Sequence, residues 1–139
     1  MENNTTYANP FDVQNPVLKH MHREADAIQD YMGRPATLQD PASLTYRLAD
    51  LDVYMARLGD MMIRAKALKE RAQNRYVAEN EDKLNKLTAT VSNRMIAAHL
   101  EEYTTTYTRL DAMYHTIEHL TRDLVTQISY IKQQMQTGC

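Results

Sequence analysis

Between Met95 and Met135 an apolar residue returns at every third or fourth position without a slip. The series is Ile96, Leu100, Tyr103, Tyr107, Leu110, Tyr114, Ile117, Thr121, Leu124, Ile128, Ile131 and Met135, and only Thr121 is polar. Steps alternating between four and three keep one side of an α-helix apolar, and a strand pattern of period two cannot produce them. No Pro or Gly interrupts the run. At the rise of an α-helix it forms a rod of roughly 60 Å. A stripe of that length must be covered, and the rest of the chain is read by asking what covers it.

Two further segments carry the same period. Asn15-Pro16 has the form of an N-cap followed by a first-turn proline, and Leu18, Met21, Ala25, Ile28 and Met32 follow in phase. Gly33 and Pro35 stop that helix. Asp40-Pro41 repeats the cap, and Leu44, Leu48, Leu51, Met55, Leu58, Met62, Ala65, Leu68, Ala72 and Tyr76 follow. Gly59 inside this second helix costs about 1 kcal/mol against Ala, and suggests a close neighbour. Thr, Val, Ser and Asn crowd the stretch Lys86–Asn93, which lowers helix propensity, and Thr90 or Ser92 is the expected next N-cap. The expected helices are 16–32, 42–80 and 92–136 in one domain spanning 15–139. A polar arm, 1–14, precedes it, with Tyr7 and Phe11 able to dock on a neighbour.

The chain has 3 Gly, 4 Pro, 1 Phe and no Trp, so little turn chemistry is available and the fold class is all-α. The expected architecture is a short N-terminal helix plus a long antiparallel αα-hairpin, coiled-coil-like. His99, Met113, Leu120 and Val125 widen the stripe beyond a two-helix seam, and the short first helix covers only part of it. The remainder is expected to be buried against further copies in an oligomeric helical bundle. The interface positions are Leu100, Tyr103, Tyr107, Leu110, Tyr114, Ile117, Leu124, Ile128 and Ile131.

The formal charge of −2 argues against a strong nonspecific polyanion binder. The single cysteine, Cys139, cannot form an internal disulfide, as expected of a cytoplasmic protein. Met1-Glu-Asn-Asn has neither the basic start nor the apolar run of a signal peptide, and no window is apolar enough to cross a membrane. His115-Thr-Ile-Glu118-His119 matches the zinc pattern H-x-x-E-H, yet a third ligand must follow within twenty residues, and the pair sits on the stripe's flank. Solvated flank histidines are the simpler account. No nucleophile–base set, phosphate loop or C-x-x-C occurs, so no enzyme activity, metal or cofactor is expected.

Charge is nevertheless unevenly spread. Residues 1–41 carry −3, residues 42–91 carry +2 and residues 92–139 carry −1. The densest run is Arg64-Ala-Lys66-Ala-Leu-Lys69-Glu-Arg71-Ala-Gln-Asn-Arg75, with five cations and one anion. Arg57, Arg64 and Arg71 recur every seven residues and so share a helix face. Arg57, Arg64, Lys66, Lys69, Arg71 and Arg75 are candidate phosphate contacts, with Tyr76 placed to stack on a base. A solvated helix face laced by pairs such as Lys66–Glu70 would look similar.

The segments Leu68-Lys-Glu-Arg71-Ala-Gln-Asn-Arg75-Tyr76 and Leu110–Lys132, within residues 44–135, resemble the UvsY-type recombination mediators of phages. That resemblance implies a ring-like, non-catalytic oligomer in the host cytoplasm. It implies binding to single-stranded DNA and loading of a recombinase onto strands coated with single-strand-binding protein. Members are expected to be more basic, and the acidic first helix has no counterpart. A different class also fits these residues: a helical adaptor, scaffold or inhibitor that binds another protein without nucleic acid.

Overall fold

In the computed structural model of the chain, residues 13–34 and 40–138 are described. The expected docking residues Tyr7 and Phe11, the helix-stopping Pro35 and the terminal Cys139 lie outside them. The described residues are all-α, in five helices: α1 (Pro16–Met32), α2 (Pro41–Glu79), α3 (Glu81–Asn85), α4 (Ala89–His99) and α5 (Glu101–Thr137).

The first two starts follow from capping. The Asn15 side chain accepts the amides of Val17 and Leu18, and the Asp40 side chain accepts that of Ala42. Each satisfies donors that a helix start leaves open, and the proline that follows lacks one such donor altogether. At the far end of α2, the Asn80 side-chain amide donates to the Tyr76 carbonyl at 2.8 Å. The next cap is Thr88, whose hydroxyl accepts the Val91 amide at 3.3 Å. Ser92, an expected cap, instead donates to the Leu84 carbonyl at 3.0 Å and ties α4 to α3.

α2 and α5 pack along each other in opposite directions. Gly59 lies beside Tyr114, while further along α2 the Tyr76 ring meets His99. Leu44, Leu51, Leu58 and Ala65 of α2 are fully buried, as are Leu110 and Ile117 of α5 to within 1%. Removing each of these Leu and Ile side chains from water is worth about 1.5–3 kcal/mol, which orders two helices that are individually mostly polar.

α1 lies in the groove between α2 and α5 over only part of their length. Its start is level with the beginning of α5: the Gln14 amide donates to Glu102 Oε1 at 2.8 Å, and Asn15 Nδ2 donates to the Tyr103 hydroxyl at 3.2 Å. Its end is level with the beginning of α2: the Tyr31 hydroxyl donates to Asp50 Oδ2 at 2.8 Å, and Arg47 covers the Tyr31 ring at 5.3 Å. Leu18, Met21, Ala25 and Ile28 are buried between them. The molecule is therefore three helices thick where α1 lies. Beyond it, the second half of α2 packs with α3 and α4 as a thinner distal limb.

Two expectations change. The single helix expected over 92–136 is interrupted at Leu100, which closes α4 and begins α5. Its amide is shared between the carbonyls of Ile96 and Ala97, at 3.1 and 3.2 Å, and its own carbonyl accepts the Thr104 amide. No glycine or proline marks the position. Gly59 does not mark an obligatory close approach either, because a Cβ there would sit 3.8 Å from Tyr114 Cε2, an ordinary contact.

Candidate nucleic-acid interface

The distal limb is built from the weak end of the apolar pattern. Leu68, Ala72 and Tyr76 continue the α2 stripe and are half-buried, as are Leu87, Met95 and Ile96 across from them. Leu84 and Leu100 close the two ends of this seam and are buried. With only two layers, most polar positions of the limb face water. Residues 66–99 hold seven cations, Lys66, Lys69, Arg71, Arg75, Lys83, Lys86 and Arg94, against four anions. None of the seven forms an ion pair among the described residues. Arg71, Arg75, Lys83, Lys86 and Arg94 are exposed, and Lys69 is half-buried.

The candidate phosphate contacts do not form one surface. Arg57 and Arg64 lie towards α1, where with His20, Glu24 and Asp60 they line a shallow cleft of about 320 Å³. Arg64 Nε is 3.5 Å from Asp60 Oδ2, and the Arg57 guanidinium stands 5.9 Å over the Tyr54 ring. That neighbourhood is of mixed sign. Lys66 borders a different groove, with Gly59, Met62, Ile63, Tyr107 and Tyr114. Lys69, Arg71 and Arg75 remain on the limb. Tyr76 is engaged within the chain: its ring stacks on His99, with centroids 4.2 Å apart and planes 19° from parallel.

The expected interface residues divide in the same way. Leu100, Leu110, Ile117, Leu124 and Ile128 are buried within the single chain, at 8% exposure or less. A long α2 plus α1 covers them without a second copy. Tyr103, Tyr107, Tyr114 and Ile131 are half-buried, and Met135, beyond the start of α2, is 67% exposed.

Sequence reasoning missed a polar cluster where α1 meets α5. His22 and Arg109 are 6% and 9% exposed, and Thr106 is fully buried. Thr106 donates its hydroxyl proton to the Glu102 carbonyl at 2.8 Å, so its oxygen is left to accept from His22 Nε2 at 2.9 Å. Arg109 only donates: to His22 Nδ1 at 3.0 Å, Asp26 Oδ1 at 2.6 Å and Gln29 Oε1 at 2.9 Å. The ring is therefore the neutral tautomer with its proton on Nε2. Burial, and then the Arg109 charge, hold the His22 pKa below 6.5, with Asp26 opposing. Thr106, Arg109 and Met113 form a second row, spaced three and four, beside the main stripe. That row was the available signal, although its partner on α1 was not.

His115 keeps local company, with Nε2 3.4 Å from Asp111 Oδ1 and Nδ1 3.7 Å from Glu118 Oε2. Glu118 also pairs with Arg122. Among the described residues, no group of three or more His, Cys, Asp or Glu is arranged to hold a metal ion. No described helix is long and apolar enough to cross a membrane. No protein-family model, no curated protein and no solved structure matches the chain.

Proposed function

We propose that the protein is a non-catalytic accessory protein that binds single-stranded DNA through its distal limb, in the manner of a recombination mediator. The observation carrying this reading is the set of six limb cations from Lys69 to Arg94, none of them ion-paired among the described residues, with a local charge of +2 in a chain whose total is −2. Cations already paired to carboxylates gain little from a phosphate. Unpaired ones release the counterions of the nucleic acid, and that release drives association. Arg57 and Arg64, on the mixed-sign side, are secondary in this scheme. By resemblance, the protein partners are a recombinase and a single-strand-binding protein, and the place of action is the cytoplasm of an infected cell.

Assembly of several copies, coiled-coil-like, belongs to the same proposal. The half-buried Tyr107 and Tyr114 with Met62 and the 71% exposed Ile63 offer an apolar groove of about 300 Å³ for a neighbouring helix. That groove also favours the second reading, a helical module that binds another protein and no nucleic acid.

The deciding experiment replaces Lys69, Arg71 and Arg75 together by Gln and titrates a labelled oligo-dT. The expected result is loss of binding at unchanged helicity and mass. Unchanged binding by the variant would place the contact elsewhere. Absence of binding by the wild-type protein would leave the protein-interaction module.

A further inference from the structure

We infer that the stacked pair Tyr76–His99 is a nucleobase platform, a proposal that rests on the single-stranded DNA reading above. The two rings come from the two helices of the limb, α2 and α4, 4.2 Å apart and close to parallel. Tyr76 is half-buried and His99 is exposed. Two stacked rings of which one is exposed can extend the stack by one more flat ring. A purine or pyrimidine has such a face whatever its identity.

The cation on the same side of α2 favours a ligand that carries phosphates. Lys69 lies seven residues before Tyr76, on the same side of α2 and roughly 10 Å along it. Arg75 and Arg94 lie on the same two helices but point about 100° and 140° away from Tyr76 and His99. Glu79, one turn past Tyr76, is exposed on the ring's side of α2, and none of the three cations is ion-paired among the described residues. The carboxylate of Glu102, three residues past His99, accepts the Gln14 amide. In a duplex the base faces are already stacked and closed to the platform. The expected ligand is therefore a single strand with intact bases, held by cations along its backbone and by one stacked base at the pair.

The test compares three labelled ligands of one length: oligo-dT, an abasic strand with the same phosphates, and a duplex. Wild-type protein is expected to bind oligo-dT about tenfold more tightly than the abasic strand. Tyr76→Leu combined with His99→Ala is expected to bind both strands equally, at the abasic affinity and with an unchanged salt slope. Tyr76→Phe keeps the ring and is expected to keep the discrimination, which separates loss of the platform from loss of the fold. Equal binding of oligo-dT and the abasic strand by the wild type overturns the platform and leaves the phosphate contacts standing. Retained discrimination in the double variant, or a duplex bound as tightly as oligo-dT, also overturns it. Failure of every ligand to bind removes the DNA reading itself.

Discussion

His22 Nδ1 accepts a hydrogen bond from Arg109 Nη1 at 3.0 Å, so the imidazole that joins α1 to α5 must be neutral to make it. Protonation would place an N–H against a guanidinium inside the protein. The folded pKa is held below the ordinary 6.5, first by burial and then by Arg109. The unfolded chain therefore takes up the proton at the higher pH. The contribution to stability is fully present above 6.5 and is lost as pH falls through the folded value. Urea midpoints measured at about pH 7.5 and about pH 5.5 are expected to fall with acidification, and His22→Gln to flatten that dependence. An identical slope in the variant would mean that another group carries it.

The ion pairs of α1 are unequal. The Arg109 side chain is 7% exposed opposite Asp26, whereas Arg34 and Asp30 are both largely solvated. Asp26→Asn takes a carboxylate, itself 67% exposed, away from a buried guanidinium that keeps His22 and Gln29, and is expected to cost about 1 kcal/mol. Asp30→Asn, at a solvated pair, is expected to cost less than about 0.5 kcal/mol. Equal costs in denaturant unfolding would show that burial of Arg109 does not matter energetically.

Thr121 is the polar member of the α5 stripe, and its hydroxyl oxygen is buried with no hydrogen-bond partner among the described residues. Thr121→Val replaces that hydroxyl by a methyl of nearly the same size. It is expected to raise stability by about 1 kcal/mol, read as a higher urea midpoint at unchanged slope. A lower midpoint would reveal a partner for the hydroxyl.

Gly59 offers a second gain. A Cβ there meets Tyr114 at an ordinary van der Waals distance, and Ala restores helix propensity in the middle of α2. Gly59→Ala is expected to stabilise the protein by about 0.5–1 kcal/mol. Destabilisation would mean that the groove between Gly59 and Tyr114 is tighter than it looks, or is occupied in an assembly.

Much of the fold can be read from spacing and caps. The rows Leu44–Leu51–Leu58 and Leu110–Ile117–Leu124 are seven residues apart, and this alone declares two long helices with facing stripes. Asn15-Pro16 and Asp40-Pro41 declare two of the starts. What spacing cannot declare is occupancy. The stripe of α5 is too wide for one partner, and spacing leaves open how much of the excess α1 covers and how much falls to further copies. α1 buries Thr106 and Met113 on the neighbouring row. Arg109 and His22 were unreadable for a related reason. Each is an ordinary polar residue on its own helix, and burial makes sense only once the other is opposite. The interruption at Leu100 has no propensity signal. At the candidate site, the cations were legible as a run along the chain. Their division into an α1-side group and a distal group depends on where along α2 the start of α1 lies, which the spacing of a single helix does not contain.

The most direct test of the central claim is fluorescence anisotropy of a labelled oligo-dT titrated with the full chain at about 50 and about 200 mM salt, the range over which phosphate contacts reveal themselves. The distal limb predicts binding at the lower salt that weakens steeply at the higher, and that disappears when Lys69, Arg71 and Arg75 are replaced together. No binding at the lower salt, or binding indifferent to salt and to those three residues, would contradict a DNA-binding role for the limb.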